Sequence, residues 1–117
     1  MISPSQPETS AIPGAEIVEL FRRAIRREVK IVAVGCSWND VYAGNVYVRI
    51  DGYELVIFND CNELDYVDQA TAPDGRRGDF DEWWLSNTEP VELMSDDEGR
   101  QLEFLLENAP VVEPLQP

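Results

Sequence analysis

The sequence predicts one α+β domain, in which a small antiparallel sheet of three or more strands packs against an N-terminal and a C-terminal helix. Two patterns predict this class. The dipeptide Asp51-Gly52 separates two runs of alternating apolar and polar residues, and an apolar stripe with helical spacing stands near each end of the chain. The chain has 117 residues, about the length of one domain, and 44% of them are hydrophobic, so a core can form without disulfides.

The N-terminal part is predicted to hold a disordered tail and then an amphipathic helix. Residues 1–12 are rich in serine and proline, which is typical of disorder. The domain is predicted to span residues 13–110 and to begin with a helix from Gly14 to Glu28. Four arginines stand late in this helix, where they suit its dipole and can pair with the acidic half of the chain. The buried stripe consists of Ile17, Leu20, Phe21, Ala24 and Ile25.

A first strand is predicted at residues 29–35, and a connection at 37–44 leads from it to a hairpin. The hairpin arms are residues 45–50 and 53–58, because Asp51-Gly52 suits a type I′ turn, in which both central residues need positive φ. One face of the hairpin is predicted to be buried. Its side chains are those of Val46, Val48, Ile50, Leu55 and Ile57.

An acidic stretch, FNDCNELDYVD, runs from Phe58 to Asp68 directly after the hairpin. We expect Phe58 to turn inward and Cys61 to pack against the core at the end of the strand. Residues 64–71 are predicted to form a polar edge strand. Its acidic side chains are expected to point outward, where charge discourages pairing with other sheets.

The C-terminal half is predicted to contain a turn and two capped helices. The turn is APDG, residues 72–75. Asp79 and Ser95 are each followed three residues later by a glutamate, which is the spacing of a capping box, and they start helices at 80–86 and 96–108. The inner stripe of the last helix consists of Leu102, Leu105, Leu106 and Ala109. Residues 111–117 are predicted to be a flexible tail.

The charge of the chain limits its partners. It carries 23 acidic and 9 basic residues and no histidine, which gives a net charge of −14 at pH 7 and a pI near 4.1. Residues 60–98 hold 13 of the acidic residues and two of the basic ones. Such a field favours a basic protein partner or a cation, and it repels nucleic acids and anionic membranes. Direct binding to nucleic acid or to a membrane is therefore not expected.

No catalytic residue is assigned. Without histidine, Ser-His-Asp and Cys-His arrangements are excluded. Cys36 and Cys61 form no CxxC pair, and the acidic residues beside Cys61 disfavour its thiolate. The sequence shows no leader-like segment and no long apolar run, which predicts a cytoplasmic protein with reduced thiols. Paired carboxylates can hydrolyse glycosides, so a small hydrolase is a further alternative, but it would need a pocket and the number of carboxylates is no evidence for it.

Carboxylate and amide oxygens are ligands that calcium and magnesium prefer, so a divalent-cation-binding domain is the main alternative. An EF-hand loop that began at Asp60 would have Asp65 in place of the glycine and Thr71 in place of the last glutamate. The second cluster, Asp79 to Glu82, has a spacing that is common by chance. No metal ligand and no cofactor is therefore assigned.

The leading interpretation is a non-enzymatic protein-binding module whose acidic surface engages a basic partner. In its most specific form the module is an inhibitor that mimics nucleic-acid charge. Trp83 and Trp84 are consecutive on a predicted helix, where side chains diverge by about 100°, so one of them is expected to be exposed as an interface anchor. The alternative is that both pack under the loop. The predicted partner-binding residues are Asp60, Glu63, Asp65, Asp68, Asp79, Asp81, Glu82, Trp83 and Trp84.

Three segments resemble a family of small, acidic, functionally uncharacterised bacterial proteins of pseudomonad type. They are FNDCNELDY, APDGRRGDFDEWW and EPVELMSDDEGRQLEFLL. The resemblance covers about Tyr42 to Leu106. It implies a bacterial cytosolic domain, and because the family carries no assigned activity, it implies no mechanism.

Overall fold

A computed structural model describes residues 11–114, which form a mixed six-stranded sheet and four α-helices. The strands are β1 (Ile31–Val34), β2 (Ala43–Ile50), β3 (Tyr53–Asp60), β4 (Glu63–Thr71), β5 (Arg77–Asp79) and β6 (Val111–Val112). The helices are α1 (Gly14–Ile25), α2 (Phe80–Leu85), α3 (Pro90–Leu93) and α4 (Asp96–Glu107), with a 3₁₀ helix at Trp38–Asp40. The class is α+β, as predicted, with more strands than the hairpin pattern indicated.

The sheet is an antiparallel meander to which one parallel strand is added. Its order is β5-β4-β3-β2-β1-β6, and β1–β6 is the parallel pair among these neighbours, while the other four pairs are antiparallel. The core lies between one face of this sheet, here called the inner face, and the helices α1, α3 and α4. The five hairpin side chains predicted to be buried are each at most 2% exposed. From the helices, Phe21, Leu102 and Leu106 join them, and Trp38 of the 3₁₀ helix is fully buried.

Both predicted tails are corrected at their inner ends. Ile12 is 2% exposed, and its amide donates to the Arg77 carbonyl at 3.0 Å, so order begins before Pro13. Val111 and Val112 pair with Ala33 and Val34 as β6, so they belong to the sheet and not to a tail. The remaining parts of the two predicted tails, residues 1–10 and 115–117, lie outside the described residues.

Helix α1 ends three residues earlier than predicted. Arg27 takes a φ of 67°, a left-handed conformation that stops the helix after Ile25. The predicted pairing of its arginines with acidic residues is confirmed, because Arg22 contacts Glu98 and Arg23 contacts Asp51, both at 2.8 Å. These partly exposed pairs join α1 to α4 and to the hairpin, and solvent screening keeps the contribution of each to the stability small.

The hairpin at Asp51-Gly52 is confirmed, with φ values of 50° and 83° at its two central residues. A second turn of the same kind follows at Cys61-Asn62, where φ is 54° and 71°. This turn joins β3 to β4, and it explains why the prediction for Cys61 was wrong. The thiol lies exposed at the tip of a hairpin instead of packing against the core.

The prediction that Phe58 turns inward was also wrong. Leu55 and Ile57 face the core, so the two-residue period of a strand places Phe58 on the opposite face and Asn59 inside. Asn59 is fully buried, and its side-chain amide donates to the carbonyls of Trp38 and Val41 at 3.0 and 2.6 Å. A buried amide of this kind ties the 3₁₀ connection to the sheet.

Strand β4 is an edge strand over only part of its length. Residues 69–71 pair with β5, while among the described residues 63–68 have a strand partner on the β3 side alone. Helices α2 and α4 begin where predicted: the Asp79 carboxylate accepts from the Glu82 amide at 3.0 Å, and Ser95 with Glu98 forms a complete capping box. Within residues 11–114, no helix has the length and apolarity needed to cross a membrane.

Candidate functional site

The face of the sheet opposite to the core, here called the outer face, is left open by α1, α3 and α4. Strand alternation places Val34, Tyr47, Val56, Phe58 and Tyr66 on this face, and all five are half-buried or exposed. A depression of about 420 Å³ lies over it between Val34, Tyr47 and Val56. An open sheet face with apolar side chains is a candidate for contact with another molecule.

Four aromatic side chains form a continuous row from the outer face onto α2. The aromatic row consists of Phe58, Tyr66, Phe80 and Trp84, with successive ring centroids 5.2, 4.5 and 5.5 Å apart. Phe58 lies opposite Tyr66 across the β3–β4 pair, and Phe80 and Trp84 stand four residues apart on one side of α2. The row ends at Trp84, which is 60% exposed.

One tryptophan is exposed and its neighbour is buried, as their adjacent positions on a helix predicted. Trp83 is 3% exposed, and its Nε1 donates to the Ile12 carbonyl at 2.8 Å. Its assignment as a partner-binding residue is therefore corrected, because the buried side chain holds α2 against Ile12, which precedes α1 in the sequence. Only Trp84 of the pair is available at the surface.

The seven predicted acidic residues surround the aromatic row and are here called the acidic rim. One group, on β3 and β4, adjoins Phe58 and Tyr66, and the other opens α2 beside Phe80. Because Tyr66 and Phe80 are in contact, the two groups border one continuous surface. Six of the seven side chains are exposed and Asp68 is half-buried. The rim consists of Asp60, Glu63, Asp65, Asp68, Asp79, Asp81 and Glu82.

Two β-bulges in β4 place aspartates beside Tyr66. The register skips Asp68 between the pairs Val56–Gln69 and Ile57–Val67, and it skips Asp65 on the other side of Tyr66. Burial raises the pKa of the Tyr66 hydroxyl, and the negative charges of Asp68 and Asp65 raise it further. The two carboxylates therefore lie close enough to Tyr66 for their charges to oppose the ionisation of its hydroxyl.

The rim carboxylates are not neutralised by the chain itself. Among the described residues, none of the seven forms an ion pair with a basic side chain, although the Asp79 carboxylate caps α2. Six of the nine basic side chains pair with acidic residues outside the rim, while Arg77 lies on β5 beside Asp79 without an ion pair within 4.0 Å in the described part of the chain. The six that pair are Arg22, Arg23, Arg26, Arg49, Arg76 and Arg100.

Two glutamates from the helices occupy the free backbone amides of β4. The Glu103 carboxylate accepts from the Leu64 amide at 2.7 Å, and the Glu89 carboxylate accepts from the Val67 amide at 2.8 Å. Glu89 also accepts from the Glu92 amide at 3.1 Å, which caps α3. These side chains take the place of carbonyls from a neighbouring strand, so the edge is not available for strand addition at these amides.

Glu89 should make the stability of the chain fall as pH rises. It is 2% exposed, and burial raises the pKa of its carboxyl although backbone amides donate to it. The folded state thus keeps a proton that the unfolded state releases near the ordinary value of 4.5. The stability that depends on this proton is full below that pH and is lost as pH rises through the folded-state pKa.

The comparison to make is between the natural chain and Glu89→Gln, by urea unfolding at a series of pH values from about 4.5 upward. Subtracting the stability of the variant removes the pH dependence that the other carboxyls share. The stability of the natural chain relative to the variant should be greatest at the lowest pH and should decline as pH rises. Parallel curves would show that Glu89 does not titrate in this way.

A second depression, also about 420 Å³, lies between the C-terminal ends of α1 and α4 and was not predicted. Arg27, Lys30, Phe104 and Leu105 line it, and Phe104 is 56% exposed. Its basic and apolar lining suits an acidic ligand. A chain with a net charge of −14 repels such a ligand at long range, so the outer face is the stronger candidate.

The alternatives to protein binding gain no support from this geometry. Within the described part of the chain, no three of the residues aspartate, glutamate and cysteine are grouped so that they could hold a metal ion. Cys36 and Cys61 are both free and exposed. Two depressions among the described residues carry two carboxylates each, Asp79 with Glu82 and Asp96 with Glu103, and both are open to solvent rather than enclosed as a glycosidase cleft would be.

The aromatic row is the part of the site that the sequence-based prediction missed. A signal for it was present, because Leu55 and Ile57 on the inner face require Phe58 on the outer face. The contact from Tyr66 to Phe80 had no such signal. It depends on the pairing of β4 with β5 and on the direction in which α2 leaves β5.

Comparison with known proteins identifies a family and no activity. No curated protein and no solved structure matches the chain. The family model described as a domain of unknown function, DUF7693, matches residues 11–108, which include every helix and the first five strands. The chain therefore belongs to the DUF7693 family.

Proposed function

We propose that this chain is a non-enzymatic binding module of the bacterial cytoplasm, and that its acidic rim and aromatic row engage a basic protein. A partner that itself binds nucleic acid would be inhibited, because the rim competes with phosphates for the same basic residues. The observation that carries the proposal is the separation of charges in the fold. Among the described residues, six arginines pair with acidic residues elsewhere, and the seven rim acids form no ion pair around a row of rings that ends at the exposed Trp84.

The arrangement of Asp60 and Glu63 supports the same proposal. They are directly opposite each other across the β3–β4 pair, at the end next to Phe58 and Tyr66. Like charges in this position destabilise a hairpin, by up to about 1 kcal/mol. A basic partner would remove the repulsion on binding. The free chain thus gives up stability at the place where the proposed partner contributes positive charge.

The test uses Glu63→Lys, which reverses one rim charge. It should weaken binding to a basic partner captured from the native host by about fivefold or more. It should also raise the free energy of unfolding of the free chain by roughly 0.5 kcal/mol, because the new lysine attracts Asp60. Titration of the captured partner and urea unfolding measure the two effects. Loss of binding together with a gain in stability distinguishes a surface effect from misfolding.

The matched control is Glu107→Lys, which makes the same change in charge on α4, away from the outer face. Its affinity for the partner should stay within about twofold of the natural chain. If both variants lose affinity equally, the partner responds only to net charge and the rim is not the site. Affinity that does not change between low and high salt would contradict an acidic docking surface altogether.

A further inference from the structure

We infer that the partner segment presents arginine rather than lysine, in an extended stretch that lies along the aromatic row. This inference rests on the proposed function and specifies the chemistry that the site recognises. It depends on the geometry of the rings, on the position of the carboxylates beside them, and on the occupied edge of β4.

The exposed ring at the end of the row offers a flat surface to a planar cation. Phe58 and Tyr66 stack on each other with 13° between their planes, and Phe80 and Trp84 stack with 22° between theirs, so the faces inside each pair are covered. Trp84 is 60% exposed and is the ring that a cation can reach. A guanidinium group is planar and weakly hydrated, so it can lie against such rings while its N–H groups point outward at their edges. A lysine ammonium is a compact, strongly hydrated point charge, which gains less from a flat aromatic surface.

The carboxylates stand where those outward N–H groups would need acceptors. Asp65 and Asp68 lie in the bulges on either side of Tyr66, and Asp60 and Glu63 follow Phe58 and Tyr66 along the outer face. A carboxylate can accept two parallel bonds from a guanidinium, which adds geometric selectivity to the attraction between charges. The rim therefore discriminates between the two basic side chains as well as attracting both.

The length of the aromatic row and the occupied amides at the edge of β4 define the length of the partner segment and its position on the surface. Three centroid steps of 5.2, 4.5 and 5.5 Å limit the row to about 15 Å, which corresponds to four or five extended residues. The amides of Leu64 and Val67 already donate to Glu103 and Glu89. The segment thus lies along the row instead of adding a strand to β4.

The experiment compares two peptides of equal length and charge, one with arginine and the other with lysine at every basic position. Binding to the full chain is followed at low and high salt, by calorimetry and by the fluorescence of the exposed Trp84. The arginine peptide should bind about tenfold more tightly than the lysine peptide. Equal affinities would overturn the inference and leave the proposed function standing, whereas no binding of either peptide at low salt would overturn both.

Two matched variants locate the preference. Trp84→Leu removes the exposed ring of the row, and Phe104→Leu removes an exposed ring on α4, where Phe104 is 56% exposed against 60% for Trp84. Trp84→Leu should reduce the preference for arginine to about threefold or less, and Phe104→Leu should leave it unchanged. A preference that survives Trp84→Leu, or is lost in Phe104→Leu, would place it elsewhere. Spermine that binds as tightly as the arginine peptide would show that the site takes a small polyamine rather than a protein segment.

Discussion

Replacing Gly14 with alanine is expected to lower the free energy of unfolding by about 3 kcal/mol. Gly14 is buried at the first position of α1, and a Cβ there would overlap the carbonyl oxygen of Thr88, which follows α2. The obstacle is backbone rather than the end of a flexible side chain, so either the start of α1 or the segment from α2 to α3 must move. Urea unfolding followed by circular dichroism measures the loss.

Gly99→Ala is the matched control for this substitution. Gly99 also lies in a helix, α4, but nothing lies within 4 Å of the position where its Cβ would be added. Alanine is the better helix former, so Gly99→Ala should raise the free energy of unfolding by about 0.5–1 kcal/mol. If Gly14→Ala behaved like this control, the close approach of α1 to Thr88 would not exist in solution.

Gly78→Ala is expected to cost about 2 kcal/mol and also to weaken partner binding. A Cβ on Gly78 would lie 2.6 Å from the ring of Trp83 and 3.1 Å from the Ile12 carbonyl, the two groups joined by the Trp83 hydrogen bond. Displacing Trp83 moves α2, and with it Phe80 and Trp84. Urea unfolding gives the first effect, and titration with the arginine peptide gives the second.

A double-mutant cycle with Trp83→Leu identifies the cause. If the indole is the obstacle, alanine at position 78 should cost less once that ring is absent, so the two single losses should exceed the loss in the double variant. Strict additivity would show that Gly78 is required for another reason. A variant that loses stability but keeps its full affinity would separate the packing under α2 from the surface above it.

The elements that the sequence predicted are those with local signals. The Asp51-Gly52 turn, the stripe of α1 and the caps at Asp79 and Ser95 each depend on residues no more than one or two turns apart. Besides the short helices at Trp38–Asp40 and Pro90–Leu93, the elements it missed are the strands β5 and β6, of three and two residues. So few residues carry no period, and their conformation comes from strands that the rest of the chain has already assembled.

The candidate site divides in the same way. Composition and charge were enough to predict that the acidic residues lie at the surface, because a carboxylate needs no partner there to stay exposed to water. The aromatic row depends on register, on two bulges and on the turn from β5 into α2, all of which are tertiary features. Trp83 and Trp84 show the limit: their opposite exposure was predictable, but which of them would be buried depended on the position of Ile12.

The parallel pairing of β6 with β1 has a consequence for the biosynthesis of the chain. The strands from β1 to β5 each pair with the next one along the chain, but Val111 pairs with Ala33, which is made 78 positions earlier. When the whole meander has left the ribosome, β6 has therefore not yet emerged from it, and the backbone edge of β1 with which it pairs is still free. We expect the meander to form first and this edge to stay exposed longest, so it is where a nascent chain would most readily associate with a chaperone or with another copy.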